Sequence, residues 1–147
     1  MEKLDNYKLS EGVKGIPLLG MRLIMGYGFF IPGWMKLSDI SANAKWFESI
    51  NIPFPIFSVC LSGGIEMVGA VFLVLGLYVR KISIPLILVM FAAIFTVHIA
   101  NGFQAANDGF EINLYYIIML FTLIVYGPGK SSLDSLRSKY TSTNYDK

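Results

Sequence analysis

The sequence predicts an all-α fold: an integral membrane four-helix bundle with both termini cytoplasmic. Three observations predict it. First, charged residues make up 15% of the 147-residue chain, where a soluble domain carries about 25%. Second, the apolar residues, 54% of the total, collect into four runs at roughly 15–35, 53–78, 82–100 and 112–126. About 20 mostly apolar residues, with a range of about 17–25, cross the hydrocarbon layer as a helix. Third, Lys and Arg are unevenly shared between the connections. Lys3, Lys8, Lys14, Arg80, Lys81, Lys130, Arg137, Lys139 and Lys147 fall on one side of a four-span topology, and only Lys36 and Lys45 on the other. Basic connections stay cytoplasmic.

The elements follow in order. The spans are expected at 15–36, 53–79, 82–101 and 111–127, in one transmembrane domain covering 1–147. The first run follows a long leader of mixed charge, exceeds the core of a signal peptide and lacks a small-residue cleavage site, so it reads as a retained helix. The polar connection "KLSDISANAKWFESINI" (36–52) is expected to form a short interfacial helix with Trp46 and Phe47 on the membrane side. "IPFP" opens span two, since Pro is tolerated at a helix start. "YVRK" reads as the turn between spans two and three, and "NGFQAANDGFE" as an outer loop. "GPG" ends span four. A short amphipathic helix follows at 131–140, with Ser131 and Asp134 as a capping pair and Leu133, Leu136 and Tyr140 on one face. No internal repeat suggests an inverted-repeat transporter.

Charge and cysteine content exclude several functions. The net charge of +2 follows from topology and forms no compact basic surface, so no nucleic acid partner is expected. Cys60 is the single cysteine, which leaves no resolving thiol for disulfide exchange. One His and dispersed acids make no metal-ligand set. Two-histidine haem ligation cannot be built within one chain. No nucleophile elbow, P-loop or dinucleotide fingerprint is present.

The chemistry-bearing residues are the polar ones inside the apolar runs. A charge at a helix centre costs about 2.5–3.5 kcal/mol on insertion scales, so Glu66 needs a reason. Gly63, Ser62, Gly69 and Ala70 lie three and four residues away, a small-residue stripe of the kind that marks close helix contact. Glu66 is therefore expected to point into the bundle. On span one, Arg22, Gly26, Phe29, Gly33 and Lys36 fall within about 40° of a common direction. At 1.5 Å per residue, Glu66 lies about 21 Å from Arg80, and His98 about 25 Å from Lys81. On the same count Arg22 lies roughly 9 Å below Glu66 and Lys36 about 12 Å above it. The expected site is a polar pocket in the outer half: Glu66 and His98 within it, Arg22 as its floor, and Lys36, Asn101 and Glu111 at its mouth.

Plainer readings stand beside each role. Arg22 and Lys36 can snorkel to opposite headgroup layers. His98 can be a structural hydrogen-bonding residue, and Asn101 and Glu111 can cap helices. Glu66 can be half of a structural tie. Aromatic residues of the outer half, among them Phe29, Phe30, Trp34, Phe103, Tyr115 and Tyr116, fit an interface belt or a slot for a flat ring such as a quinone, with Glu66 and His98 handling protons.

The order of several short motifs resembles the DoxX family. They are Arg22 in span one, "PGWMK" closing it, "NIPFP", "GGIEMVGAVFLVLGLYVR", "MFAAIFTVHIANGF", an acid before span four, and "GPGKSSLD", together covering about 20–134. The resemblance implies four membrane helices. Its named relatives include the small membrane subunit of a thiosulfate:quinone oxidoreductase, and others are linked to membrane oxidoreductase assemblies and oxidative-stress responses. By that resemblance Arg22, Lys36, Glu66, Arg80, His98 and Asn101 are candidate functional positions. The implied protein is a bacterial inner-membrane subunit linked to redox chemistry that binds a quinone or similar small lipophile. A non-catalytic scaffold or chaperone for a partner protein, a small-solute carrier and a homo-oligomer remain open.

Overall fold

The computed structural model describes residues 11–137, with side chains from residue 15. Among these residues every regular element is helical. The order is α1 (Glu11–Ser38), α2 (Ile40–Ser49), α3 (Pro55–Leu75), α4 (Val79–Ala93) and α5 (Glu111–Tyr126). α4 continues without a break into a wide π turn, Ile94–His98, and a tight 3₁₀ turn, Ile99–Asn101. Three helical stretches are long and apolar enough to cross a membrane: Gly15–Ser38, Pro55–Leu75 and Val79–Asn101; α5 is apolar but shorter. The outward faces are apolar too. Ile24, Leu88, Phe95 and Phe121 are each more than 60% exposed, a surface that hydrocarbon accepts and water does not. This is a membrane-embedded helical protein.

Glycines set how closely the helices approach. A Cβ at Gly26 would lie 2.5 Å from Val74 Cγ2, and one at Gly33 would lie 3.0 Å from the Met67 nitrogen and 3.1 Å from Glu66 Cβ. α1 and α3 therefore touch backbone to backbone, the use that membrane helices make of small residues. Gly69 does the same between α3 and Leu86 of α4, where a Cβ would lie 2.7 Å from Leu86 Cδ2. Around these contacts Met25, Phe29, Ala70, Leu73, Val79, Leu86, Met90, Leu120 and Leu123 form the core. Internal packing thus uses the glycine stripes of α1 and α3.

Several boundaries differ from expectation for identifiable reasons. α3 stops at Leu75 because Gly76 adopts φ 68°, and the Gly76 and Leu77 N–H groups turn back to the Leu73 and Phe72 carbonyls. The turn to α4 is therefore 76–78 rather than 78–81, and α4 begins at Val79. α2 does form, capped by Asp39, whose side chain accepts the Ala42 N–H at 2.9 Å. Its aromatics divide: Trp46 is exposed, while Phe47 is buried with Ala44 against Val59. Neighbours on a helix point about 100° apart, so the two could not both face the membrane. Near the C-terminus helical backbone spans 133–137. The remainder of the expected helix, including Lys139 and Tyr140, lies outside the described residues, as does the leader 1–10.

Candidate functional site

Glu66 is 2% exposed and faces inward from α3. Its partner is Lys36, whose ammonium donates to both carboxylate oxygens at 2.6 and 2.7 Å. Such a charge-assisted, two-oxygen contact is short and strong. The Lys36 side chain is 19% exposed, so the cation reaches inward from the last turn of α1. Gly33 and Gly63 create the geometry. Glu66 Cβ packs on Gly33, and a Cβ at Gly63 would lie 3.1 Å from Lys36 Cβ. Lys36 is thus level with Gly63, about 4.5 Å along α3 from Glu66, rather than about 12 Å above it.

The expected depths required the basic residues at the start of α1 and after α3 to lie level, and they do not. Instead Arg22 is level with Gly76: a Cβ there would lie 1.8 Å from Arg22 Nη1. That puts Arg22 about 15 Å along α3 from Glu66, too far to be the floor of its pocket. The Arg22 side chain is fully buried at the other end of the bundle, where Nη2 donates to the Ser131 carbonyl. Its Nε and Nη1 have no hydrogen-bond partner among the described residues.

The other three expected members knit the segment between α4 and α5 to itself. His98 Nδ1 lies 2.6 Å from the Asp108 carbonyl, and Asn101 Nδ2 donates to that oxygen at 3.3 Å. Since a carbonyl only accepts, this contact puts a proton on Nδ1. One Glu111 oxygen accepts the Ala105 N–H at 3.0 Å and the other accepts the Tyr115 hydroxyl. The hydrogen bonds thus divide the six predicted residues into three groups. Lys36 pairs with Glu66, Arg22 stands at the opposite end, and His98, Asn101 and Glu111 hold the loop. Arg80, also named by resemblance, donates to the Val125 carbonyl at 3.3 Å.

One polar residue was not foreseen, and a second has partners other than those expected. Asn113 is buried on α5, and its amide donates to the thioether of Met90 at 3.6 Å. Its signal was a lone amide inside an apolar run. Asp134 was read as a local capping partner, but its two oxygens accept the N–H groups of Tyr78 and Val79 at 2.9 and 3.2 Å. It caps α4 from 55 residues away, and the local cap belongs to Ser132, whose hydroxyl accepts the Ser135 N–H at 3.2 Å. Cys60 is exposed on α3. Among the described residues no three His, Cys, Asp or Glu side chains gather into a metal-binding group.

Comparison with known proteins bears on what this arrangement serves. The family model described as DoxX matches residues 17–99. A Haemophilus influenzae protein of uncharacterised function is 28% identical over 144 residues, covering 92% of this chain and 93% of its own. An uncharacterised membrane protein of Mycobacterium tuberculosis is 29% identical over 130 residues, covering 81% and 80%. A Bacillus subtilis protein named "Putative oxidoreductase CatD" is 29% identical over 108 residues, covering 74% and 75%. No solved structure matches the chain.

Proposed function

Since the chain belongs to the DoxX family, we propose that it is a four-span inner-membrane protein working beside a redox partner, taking a quinone or similar small lipophile from the bilayer. The observation that carries this reading is the Lys36–Glu66 pair: a carboxylate 2% exposed, held by one ammonium at the outer end of the bundle. A buried acid sharing a proton-bearing partner at the membrane edge is the arrangement that moves a proton between a membrane-bound molecule and water. In this reading Glu66 is the proton-handling group and Lys36 its counter-charge. The name of the Bacillus subtilis relative supports a redox setting. The partner subunit supplies electrons, and this chain supplies the membrane site.

One observation favours a second reading, a non-catalytic scaffold. Both Glu66 oxygens are already satisfied by Lys36, as in a tie that only fixes the register of α1 on α3. One preparation separates the two. The protein is purified in mild detergent, and bound quinone is extracted and measured by mass spectrometry. Stoichiometric quinone is expected from the wild type and less from Glu66→Gln. Absence of quinone in both samples, with a stoichiometric protein partner retained in both, would establish the scaffold reading instead.

A further inference from the structure

The turn between α3 and α4 gathers positive charge. α4 carries Arg80 and Lys81 in its first turn and no acid there, although the N-terminal end of a helix is its positive pole and disfavours cations. Arg22 is buried behind this turn with a neutral carbonyl, that of Ser131, as its hydrogen-bond acceptor. Among the described side chains Asp134 is the acid of this end, and both its oxygens accept backbone N–H groups, from Tyr78 and Val79. Its single charge does not balance Arg22, Arg80 and Lys81, and a field of that sign draws anions.

Tyr78 brings cations together within the turn. Its ring is 41% exposed. Lys81 Nζ and the Arg137 guanidinium carbon each lie 5.4 Å from the ring centroid, and Arg137 also donates to the Tyr78 hydroxyl. The Lys81 N–H donates to the Tyr78 carbonyl at 2.9 Å, which ties the first turn of α4 to the residue that carries the ring. An aromatic face attracts each cation, but the two cations repel one another. An anion beside the ring offsets that repulsion, because both charges then act on it from within a Debye length of about 8–10 Å.

Depth restricts which anion can come. Lys81 stands near the start of the span Val79–Asn101, at headgroup level, where tyrosine also collects. Ile84, Leu88 and Phe95 project within about 60° of it on the same helix, and each is more than half exposed. One face of α4 thus runs from a cation at the headgroups to apolar side chains in the hydrocarbon. Its occupant must be negative at one end and apolar along the rest. Inorganic phosphate lacks the chain, and a neutral acylglycerol lacks the charge.

We propose that the α3–α4 turn binds an anionic phospholipid, with its phosphate at Lys81 and Arg137 beside Tyr78 and an acyl chain along Ile84, Leu88 and Phe95. A zwitterionic lipid brings the same phosphate and chains, but its own cation meets the positive field of the turn, of which buried Arg22 is a fixed part. Arg137 reaches the ring because Asp134 seats the 130–137 segment on the turn, so the site depends on that seating. It lies away from Glu66 and asks for no redox chemistry.

The test uses the full-length protein in mild detergent, titrated with dioleoylphosphatidylglycerol and, separately, dioleoylphosphatidylcholine. The two share their chains and differ in head charge, and bound lipid is counted by native mass spectrometry. The wild type should prefer the anionic lipid about thirtyfold, from two cations near the surface. Lys81→Gln/Arg137→Gln should bring the two lipids to near equality, and Lys45→Gln, at the other end of the bundle, should keep the full preference. Asp134→Ala separates a built site from diffuse attraction. It removes a negative charge, so diffuse attraction would strengthen, whereas loss of the seat takes Arg137 from the ring and weakens the preference. A phosphatidylglycerol with a diazirine in its acyl chain should cross-link to α4 within residues 84–95. Equal binding of both lipids by the wild type overturns the site. So does a preference that survives the double variant or fails to fall in Asp134→Ala, and so do cross-links that miss α4. Displacement of the lipid by inorganic phosphate at the lipid's own concentration also overturns it, since the turn would then hold a soluble anion.

Discussion

Lys36→Met leaves the Glu66 carboxylate facing apolar groups and glycine backbone with its ammonium gone. Breaking one partner of a buried pair costs about 3–5 kcal/mol, whereas exchanging both partners for apolar side chains is often neutral. Lys36→Met and Glu66→Gln should therefore each lower the thermal unfolding temperature in detergent, and Lys36→Met/Glu66→Leu should recover most of the loss. Non-additivity of that size would identify a coupled pair; additive losses would mean that the two side chains act separately. The inward turn of Glu66 was legible because its glycine neighbours recur at helical spacing and because a charge in hydrocarbon needs a partner. Which cation answered was not. Lys36 and Arg22 share one face of α1, and choosing between them needed the vertical offset of α1 against α3. Only the contacts of Gly33, Gly63 and Gly76 fix that offset.

The turn between α3 and α4 owes its shape to a segment far along the chain. Tyr78 sits at φ 47°, an uncommon conformation for a bulky residue. Asp134 accepts its N–H and that of Val79, the Asp134 N–H donates to the Gly76 carbonyl at 3.1 Å, and Arg137 donates to the Tyr78 hydroxyl. Asp134→Ala removes a helix cap, worth about 1 kcal/mol, and should let protease cut the 130–137 segment sooner. Gly76→Ala is the more damaging change. It forces alanine into a left-handed conformation, roughly 1–2 kcal/mol, and drives a methyl into Arg22 Nη1 at 1.8 Å and Ser132 Cβ at 2.6 Å. Unfolding temperatures should fall in the order wild type, Asp134→Ala, Gly76→Ala; the reverse order would mean that the segment is not seated on Arg22. Local periodicity found the helical character of 133–137. It could not find Asp134's partners, because a capping pair and a long-range cap use the same residue types.

Helix content was the most legible property, since apolar runs of span length in a chain with few charges leave little else to form. Topology is a separate matter, decided by how many times the chain crosses. α5 has 16 residues, about 24 Å of helix against a hydrocarbon layer of about 30 Å. It can cross only with some help from its flanks or local thinning. The start of α1 and the segment after α5 nevertheless meet. A Cβ at Gly129 would lie 3.3 Å from Leu18 Cβ and 3.6 Å from the Gly15 carbonyl, and one at Gly15 would lie 3.7 Å from the Lys130 nitrogen. Two chain segments at one end of a bundle require an even number of crossings, which favours α5 as the fourth span. We propose that this end faces the cytoplasm, since nine Lys and Arg against two fall on that side of a four-span topology. In a Cys60→Ala background, an impermeant maleimide should label Glu48→Cys and Asn107→Cys on intact cells, and Leu136→Cys only after the membrane is opened. Labelling of Leu136→Cys from outside with Glu48→Cys protected would invert the molecule. Labelling of Glu48→Cys and Leu136→Cys together from outside would remove α5 from the membrane and leave three crossings.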